Sequence, residues 1–286
     1  MVRTPFCTLL GIEHPIVQAG MGMFTGADLV AAVCNAGALG SLGASGRPVP
    51  DLEKQIARIR ELTSRPFVVN HLVSNFNEEA FSFTLKARVP IVSFALGDPG
   101  DLVKRAHAAG AKVIHQVHTV EQARQAAQRG VDIIIAQGGE AGGFGQFGSA
   151  LALVPQVMDA VRPIPVLAAG GIADGRGVAA ALVLGAQGVN LGTRFLASRE
   201  APIPDAYKNA ILAARSEDTV KVEVWNDIFP APGRGGYGTV PRAIKTSFIE
   251  QWQPRREQAA RSAEQLQGEV GGAMQAGRFH EYVPFA

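Results

Sequence analysis

Two glycine-rich segments each follow a short apolar run and are suited to hold an anion. The segment AAGGIADGRG places Gly170 and Gly171 at the end of such a run, and GVNLGTRF places Gly192 and Thr193 in the same position. Glycine lets the backbone approach a ligand closely, and backbone N–H groups at a strand-to-helix junction bind phosphate. The two segments together predict a phosphate site. The alternative for the first segment is a tight turn in which Asp174 caps the next helix.

Two further segments combine small residues with the end of an apolar run. Residues 137–148 (QGGEAGGFGQFG) contain six glycines, so this loop must pass close to a neighbouring group. The segment PIVQAGMG ends in small residues and Met21, which leave room for a flat ring. Glu140 is the acidic residue of the glycine-rich loop. It is either an acid in catalysis or, as we favour, an anchor for the loop through backbone N–H groups.

Eight short apolar runs alternate with helical patterns over the first two thirds of the chain. The runs cover residues 15–19, 38–42, 67–72, 91–96, 112–117, 132–137, 166–171 and 188–193. The helical patterns cover residues 27–35, 51–63, 101–109, 151–161 and 174–184, with two more after Asn77 and Thr119. Nearly continuous Val, Ile and Leu runs indicate parallel strands that are buried on both faces.

The positions of the glycine-rich segments distinguish two α/β architectures. A doubly wound sheet usually carries one such loop after its first strand. In this sequence the glycine-rich segments follow the sixth, seventh and eighth runs, and the phosphate site of a barrel commonly lies after strands seven and eight. The predicted fold is therefore a (β/α)8 TIM barrel over residues 1–200.

The βα repeat stops after residue 200, and residues 201–286 are predicted to form a cap that packs on the barrel without folding independently. Helical patterns cover residues 207–215 and 255–267. Between them lies the segment NDIFPAPGRGGYGTVP, predicted to be a loop. Its residues 233–238 form either a lid over the site or a plain surface loop, and the sequence leaves both open.

Composition excludes several classes of function. The formal net charge is +2, with scattered basic residues, which argues against a nucleic-acid partner. No stretch of about 18 apolar residues and no signal peptide is recognisable, so we expect a cytoplasmic protein without a membrane partner. Cys7 and Cys34 cannot form a disulfide framework, and the histidines lack metal-ligand spacing, so no metal site is predicted. Homo-oligomer formation is left open.

The motifs occur in an order that resembles the nitronate monooxygenase family, formerly called 2-nitropropane dioxygenases. The order is PIVQAGMG, a strand ending in Val69 and Asn70, IHQVHTVEQA, QGGEAGG, AAGGIADGRG and NLGTRFLAS, within residues 4–200. The flavin-dependent enoyl reductase of fatty acid synthesis is similar. The resemblance implies an oxidoreductase with non-covalently bound FMN and a small-molecule substrate.

The resemblance also implies which residues contact the cofactor. They are Ala19, Gly20, Met21, Asn70, Gln116, Gln137, Gly142, Gly143, Gly170, Gly171, Gly192 and Thr193. The last four would hold the phosphate, and Asn70 would hydrogen-bond the polar edge of the ring. Gln116 stands where some members carry a lysine beside the flavin pyrimidine. Met21 and Phe144 would line the substrate pocket.

The sequence departs from the family pattern at Phe144, where a catalytic histidine is usual. Phenylalanine cannot transfer a proton, and a general acid or base typically contributes about 10²- to 10⁴-fold in rate. Strand alternation turns His71 and His115 away from a site that Asn70 faces, whereas His118 lies just past its strand and could reach the rim. For each of the three, packing or a surface position is favoured over a role in the site. No catalytic residue is therefore assigned.

The missing histidine discriminates among the reactions that the resemblance implies. A nitronate is already an anion and needs no base, so oxidation of alkyl nitronates with O₂ is the first hypothesis. The alternative is an NAD(P)H-dependent FMN reductase acting on a quinone or an enone. A second alternative is a flavin-binding protein with reduced catalysis. Oxidation of neutral nitroalkanes and enoyl reduction by the usual route are disfavoured, because both require a proton transfer.

Overall fold

The computed structural model describes residues 2–230 and 238–286. Eight parallel strands form one sheet in the spatial order β1-β9-β8-β6-β5-β4-β3-β2. They are β1 (Ile16–Gln18), β2 (Ser41–Gly43), β3 (Val68–Leu72), β4 (Ile91–Ala95), β5 (Lys112–Val117), β6 (Ile133–Gln137), β8 (Val166–Ala169) and β9 (Gly188–Leu191). Backbone hydrogen bonds close the ring between the first and last strands of this order, since Gln18 N donates to Leu39 O at 2.9 Å and Leu39 N donates to Ile16 O at 3.0 Å. The fold is a (β/α)8 TIM barrel, as the sequence predicts.

Helices connect the strands and cover the outside of the barrel. Those of the barrel are α1 (Pro5–Leu10), α2 (Ala27–Asn35), α3 (Val49–Leu62), α4 (Glu78–Lys86), α5 (Leu102–Ala108), α6 (Val120–Arg129), α7 (Ala150–Val161), α8 (Gly175–Val183) and α9 (Thr193–Leu196). Asn77 and Thr119 cap α4 and α6, since their side chains accept hydrogen bonds from Ala80 N and Gln122 N.

Branched apolar side chains fill the barrel interior. They include Val17, Leu39, Val68, Ile91, Ile114, Ile133, Ile135 and Leu167. Burying one such side chain stabilises the fold by roughly 1.5–3 kcal/mol. Helix α1, which the sequence prediction missed, contributes Phe6, Cys7 and Leu10 to the same cluster. The interior is therefore a packed core, and a ligand has room only beyond the strand ends.

The residues after β9 form further helices and a small antiparallel sheet. The helices are α10 (Asp205–Ala213), α11 (Val224–Ile228), α12 (Ser247–Trp252), α13 (Arg256–Arg261) and α14 (Ala263–Gln275). The sheet has the order β10 (Thr219–Lys221), β11 (Val240–Ile244), β7 (Gly143–Gly145). Its third strand comes from the glycine-rich loop after β6, so the segment predicted as a pure loop contains a strand.

The same region packs on the barrel through a shared apolar cluster. Tyr207 and Val222 from this region lie in one cluster with Leu29 and Val33 of α2. The division into residues 1–200 and 201–286 stays a prediction. The predicted helix 255–267 is wrong in its extent, because α13 and α14 are separate helices that break at Ser262. Of the predicted lid, residues 233–237 lie outside the described residues.

Candidate active site

A cavity of about 1000 Å³ lies at the carboxyl ends of the barrel strands. Its walls contain every position that the sequence predicts for the cofactor or the substrate: Ala19, Gly20, Met21, Asn70, Gln116, Gln137, Gly142, Gly143, Phe144, Gly170, Gly171, Gly192 and Thr193. The fold thus brings residues from both ends of the barrel sequence into one site. Their roles toward FMN stay predictions.

Neutral polar side chains form the floor of the cavity. Asn70 in β3 donates through Nδ2 to Ser93 Oγ in β4 at 2.8 Å, and the two residues are direct neighbours in the strand register. Gln116, Gln137 and Asn190 follow around the barrel and also line the cavity. Amides and hydroxyls donate and accept hydrogen bonds. This floor is therefore suited to the heteroatoms of an uncharged ring.

Ser93 and Asn190 are cavity residues that the sequence prediction missed. Ser93 lies two residues after Ile91, which belongs to the barrel interior. Because alternate residues of a strand point to the same face, the pattern of β4 contained the information that Ser93 faces inward. Asn190 interrupts the apolar run of β9 in the same way.

The end of β1 lies so close to β2 and β3 that only glycine fits at position 20. A Cβ atom added to Gly20 would lie 2.5 Å from Asn70 Cβ and 2.9 Å from Ser41 Oγ. This close approach brings Met21 into the cavity wall. The Sδ atom of Met21 is 3.5 Å from where a Cβ of Gly192 would lie, so the ends of β1 and β9 meet at the site.

The ends of β8 and β9 present backbone N–H groups without a protein acceptor. Gly170 and Gly171 have φ angles of +106° and +68°, in the region that favours glycine. In the described part of the chain, no group accepts a hydrogen bond from the N–H of Gly171, Gly192 or Thr193. All of them line the cavity. Such a set of free amides is typical of an anion site.

The N-terminus of α8 does not contribute free amides to that site. Asp174 accepts hydrogen bonds from Arg176 N at 2.9 Å and Gly177 N at 3.3 Å. The alternative that the sequence offered for this segment, a cap by Asp174, is therefore present. It coexists with the free amide of Gly171, which lies three residues before Asp174 and outside the cap.

The glycine-rich loop after β6 crosses the cavity and touches the end of β9. A Cβ atom at Gly142 would lie 2.7 Å from Thr193 Oγ1, so a side chain is excluded there. Within the loop, Glu140 accepts a hydrogen bond from Ala150 N at 3.0–3.1 Å. This confirms the interpretation of Glu140 as an anchor that holds the loop onto the start of α7.

Phe144 forms an apolar wall of the cavity together with Phe285. The two ring centroids are 5.6 Å apart at an angle of 60°, and Trp225 packs on Phe285 at 5.3 Å. Phe285 belongs to a segment that pairs with β11 through Ala243. Position 144 therefore excludes water and offers no proton donor or acceptor from its side chain.

None of the histidines lies at the cavity, as far as the described residues go. His71 is buried with Nε2 3.1 Å from Thr84 Oγ1, and His115 is buried with Nδ1 3.1 Å from Phe94 O. Both face away from the site, as strand alternation predicts. His118 is buried too and does not line the cavity, which agrees with the packing role that the sequence analysis favoured over a place at the rim. Burial lowers the pKa of each of the three to about 4.

Comparison with known proteins identifies the family. The family model described as nitronate monooxygenase matches residues 3–81 and 77–281. The chain belongs to the nitronate monooxygenase family. A probable nitronate monooxygenase from Staphylococcus aureus (strain Newman) is 35% identical over 290 residues, which cover 85% of this chain and 78% of that protein.

Two solved structures agree with this assignment along nearly the whole chain. FabK from Thermotoga maritima has a TM-score of 0.89 at 36% identity, covering 100% of this chain and 89% of that chain. Nitroalkane oxidase from Streptomyces ansochromogenes has a TM-score of 0.83 at 30% identity, covering 98% of this chain and 91% of that one. This member of the nitronate monooxygenase family thus shares its fold with enzymes of different names.

A curated relative of higher identity is known by a different name. The 5-hydroxy-7a-methyl-1-oxo-octahydro-1H-indene-4-carboxyl-CoA dehydrogenase of Mycobacterium tuberculosis is 42% identical over 222 residues. The match covers 77% of this chain, but the chain spans only 62% of the length of that dehydrogenase.

Within the described ranges 2–230 and 238–286, no helix is long and apolar enough to cross a membrane.

Proposed function

We propose that this protein is an FMN-dependent oxidoreductase that oxidises alkyl nitronates with O₂. The observation that carries the proposal is the apolar wall of Phe144 and Phe285 at the position where the resemblance implies a histidine. A site with phenylalanine in place of this histidine favours a substrate that arrives already deprotonated. A nitronate is such a substrate, whereas a neutral nitroalkane must first lose a proton from carbon.

The cavity has the features that an FMN phosphate requires. The free N–H groups of Gly171, Gly192 and Thr193 supply donors at the ends of two adjacent strands. Hydrogen bonds to a charged group are worth roughly 1.5–3 kcal/mol each, so this set favours phosphate strongly. The positive φ of Gly170 and Gly171 turns the backbone here without a Cβ atom in the way.

The polar floor has the features that the flavin ring requires. Asn70, Gln116 and Gln137 would hydrogen-bond the heteroatoms of the ring, while Met21 would pack against its flat face. When bound, FMN would accept the electrons that leave the nitronate carbon. The protein would orient the substrate and exclude water through Phe144 and Phe285, and it would transfer no proton from a cavity histidine.

Anaerobic mixing of the flavin-loaded protein with an alkyl nitronate tests the proposal. We expect the absorbance of the oxidised flavin to disappear with the nitronate and to persist with the corresponding neutral nitroalkane, because Phe144 offers no base for the second compound. Admission of O₂ should restore the absorbance. Persistent absorbance with the nitronate, while flavin is bound, would refute the proposal.

A second candidate function is supported by the size and character of the cavity mouth. The volume of about 1000 Å³ is at the upper end of ligand pockets. Its outer part is lined by Ile211, Leu212 and Met274, and the last two are 63% and 44% exposed. An apolar mouth of this kind would accept the ring of a quinone or an enone. The corresponding activity is reduction by NAD(P)H, tested by adding NADH or NADPH to the same anaerobic sample.

A further inference from the structure

Two basic side chains stand directly opposite each other in the small antiparallel sheet. Lys221 of β10 pairs with Arg242 of β11 in the strand register. Like charges at directly opposite positions destabilise a sheet. The repulsion between the two positive charges must therefore be offset by another group.

Neutral acceptors take up the protein hydrogen bonds of both cations. Arg242 donates through Nε to Gly139 O at 3.1 Å and through Nη1 to Thr219 Oγ1 at 3.1 Å. Lys221 Nζ donates to the carbonyl oxygens of Gly145 and Val240 at 3.2 and 3.1 Å. Neither contact neutralises a charge. Arg242 Nη2 donates to no acceptor within the described part of the chain.

The balance of charge around the pair is positive. Burial, together with the charge of Arg242, lowers the pKa of Lys221 to about 8, and the carboxylate of Glu140 opposes the shift. That carboxylate accepts a hydrogen bond from Ala150 N and is held at the start of α7. Among Lys221, Arg242 and Glu140 the net charge is positive, and Arg242 is the one of the two cations that lines the cavity.

Space for a ligand lies next to Arg242. On its other side, Arg242 pairs with Gly143 of β7, and a Cβ atom added to Gly143 would meet no atom within 4 Å. Both residues line the cavity, and Gly143 precedes Phe144 in the same strand. Arg242 therefore lies on the strand next to the one that carries Phe144, and open space lies beside its strand partner Gly143.

We propose that Arg242, supported by Lys221, forms an anion subsite that binds the anionic head group of the substrate. The inference rests on the proposed function, in which this head group is the planar nitronate. The planar guanidinium group matches a planar pair of oxygens better than an ammonium group does. A charge-assisted contact of this kind selects the nitronate over the neutral nitroalkane.

Nitrate is a planar oxyanion that probes the subsite without undergoing oxidation. Its binding to the flavin-loaded protein is measured by isothermal titration calorimetry in the wild type and in Arg242→Gln. We expect Arg242→Gln to weaken nitrate binding by roughly 10- to 100-fold, the range for a lost hydrogen bond to a charged group. The KM for the nitronate should rise by a similar factor, with a smaller change in kcat.

Arg199→Gln is the matched control for the loss of one positive charge. Arg199 is exposed and lies outside the cavity, so nitrate binding should stay within about twofold because surface charges are screened. Arg242→Lys keeps the charge but loses the planar fork, and it should weaken nitrate binding by severalfold, roughly the difference between a bidentate and a single contact. It serves as the second variant if Arg242→Gln does not fold.

The inference is overturned if the wild type does not bind nitrate, or if folded Arg242 variants bind it as tightly as the wild type. An equal loss in Arg199→Gln would likewise assign the effect to overall charge. Failure of the proposed function gives a different result. In that case nitrate binding would still depend on Arg242, but the flavin absorbance would not respond to the nitronate.

Discussion

Gln137, the last residue of β6, donates a hydrogen bond through Nε2 to the backbone carbonyl of Phe144 at 2.7 Å. The barrel thereby holds the backbone of the loop at the position where the resemblance implies a histidine. Pairing of Phe144 with Pro241 in β11 adds a second constraint. The backbone at 144 is therefore placed by contacts that do not depend on the side chain, which makes this position a clean target for substitution.

Phe144→His should create activity toward neutral nitroalkanes. The new imidazole would stand at the cavity on a backbone that Gln137 holds in place, and a general base contributes about 10²- to 10⁴-fold in rate. Steady-state turnover of a nitroalkane by the variant and by the wild type measures the gain. Phe144→Leu is the control, since it opens the wall without adding a base. If the flavin-loaded Phe144→His protein shows no gain in nitroalkane turnover, the missing base does not belong at position 144.

Gly171→Asp should expel the cofactor, because it adds a carboxylate beside the predicted phosphate position. The matched control is Gly171→Asn, which has the same shape and no charge. Asparagine and aspartate both tolerate positive φ, and either Cβ atom would lie 3.2 Å from Glu140 Cβ. The flavin content of the purified proteins is measured by absorbance. If Gly171→Asp purifies with full flavin content, the phosphate does not bind beside Gly171.

Ser41→Ala should leave the free energy of unfolding unchanged or raise it by up to about 1 kcal/mol, because an unsatisfied buried hydroxyl is costly. The Oγ atom of Ser41 is buried and has no hydrogen-bond partner in the described structure. Thr84→Val is the contrasting variant. It removes the hydroxyl that bonds Ala80 O at 2.8 Å and His71 Nε2 at 3.1 Å.

Urea denaturation compares the two variants with the wild type. Thr84→Val should lose roughly 1–3 kcal/mol, because it leaves the buried imidazole of His71 without this partner. A loss of that size in Ser41→Ala would contradict the prediction and indicate that the Ser41 hydroxyl is hydrogen-bonded.

The stability of the wild type should rise with pH relative to Lys221→Met. The pKa of Lys221 in the folded protein is about 8, below its usual value of 10.5, mainly because the amine is buried. Below pH about 8 the amine is charged in both states, and the folded state bears the full cost of burial. Between about 8 and 10.5 the unfolded state binds the proton more strongly, so the free energy of unfolding increases with pH.

Thermal melting of both proteins from pH about 7 to about 10 tests this sign, and the difference between them cancels other titrating groups. Arg242 and Glu140 are the charged groups that act on Lys221, and both are retained in the variant. A difference in melting temperature that does not change over this range would contradict the lowered pKa.

The sequence predicted the barrel because the relevant patterns are local, and the resemblance to the nitronate monooxygenase family implied the thirteen cavity positions. A strand ends where its apolar run meets glycines, and parallel strands of a barrel must all end at the same face. Asn77 and Thr119 cap their helices through contacts within three residues. The same reasoning placed His71 and His115 outside the site, since alternation along a strand depends on no distant residue.

The sequence missed contacts between segments that are far apart in the chain. Arg242 lies about a hundred residues after the loop that it bonds at Gly139, and Phe285 reaches Phe144 from the end of the described chain. No periodicity links such positions, because their meeting depends on how the later residues fold back over the barrel.

The sequence by itself determined the repeat of strands and helices, the face on which the strands end and the absence of a proton-transferring side chain at Phe144. These properties follow from residue type and short-range alternation. Only the tertiary structure decided what surrounds Phe144 and which charges face the cavity. Pairing of β7 with β11 and of β11 with β10 brings Arg242 and Lys221 to the glycine-rich loop, and strand pairing across such separations is set by the packing of the whole chain.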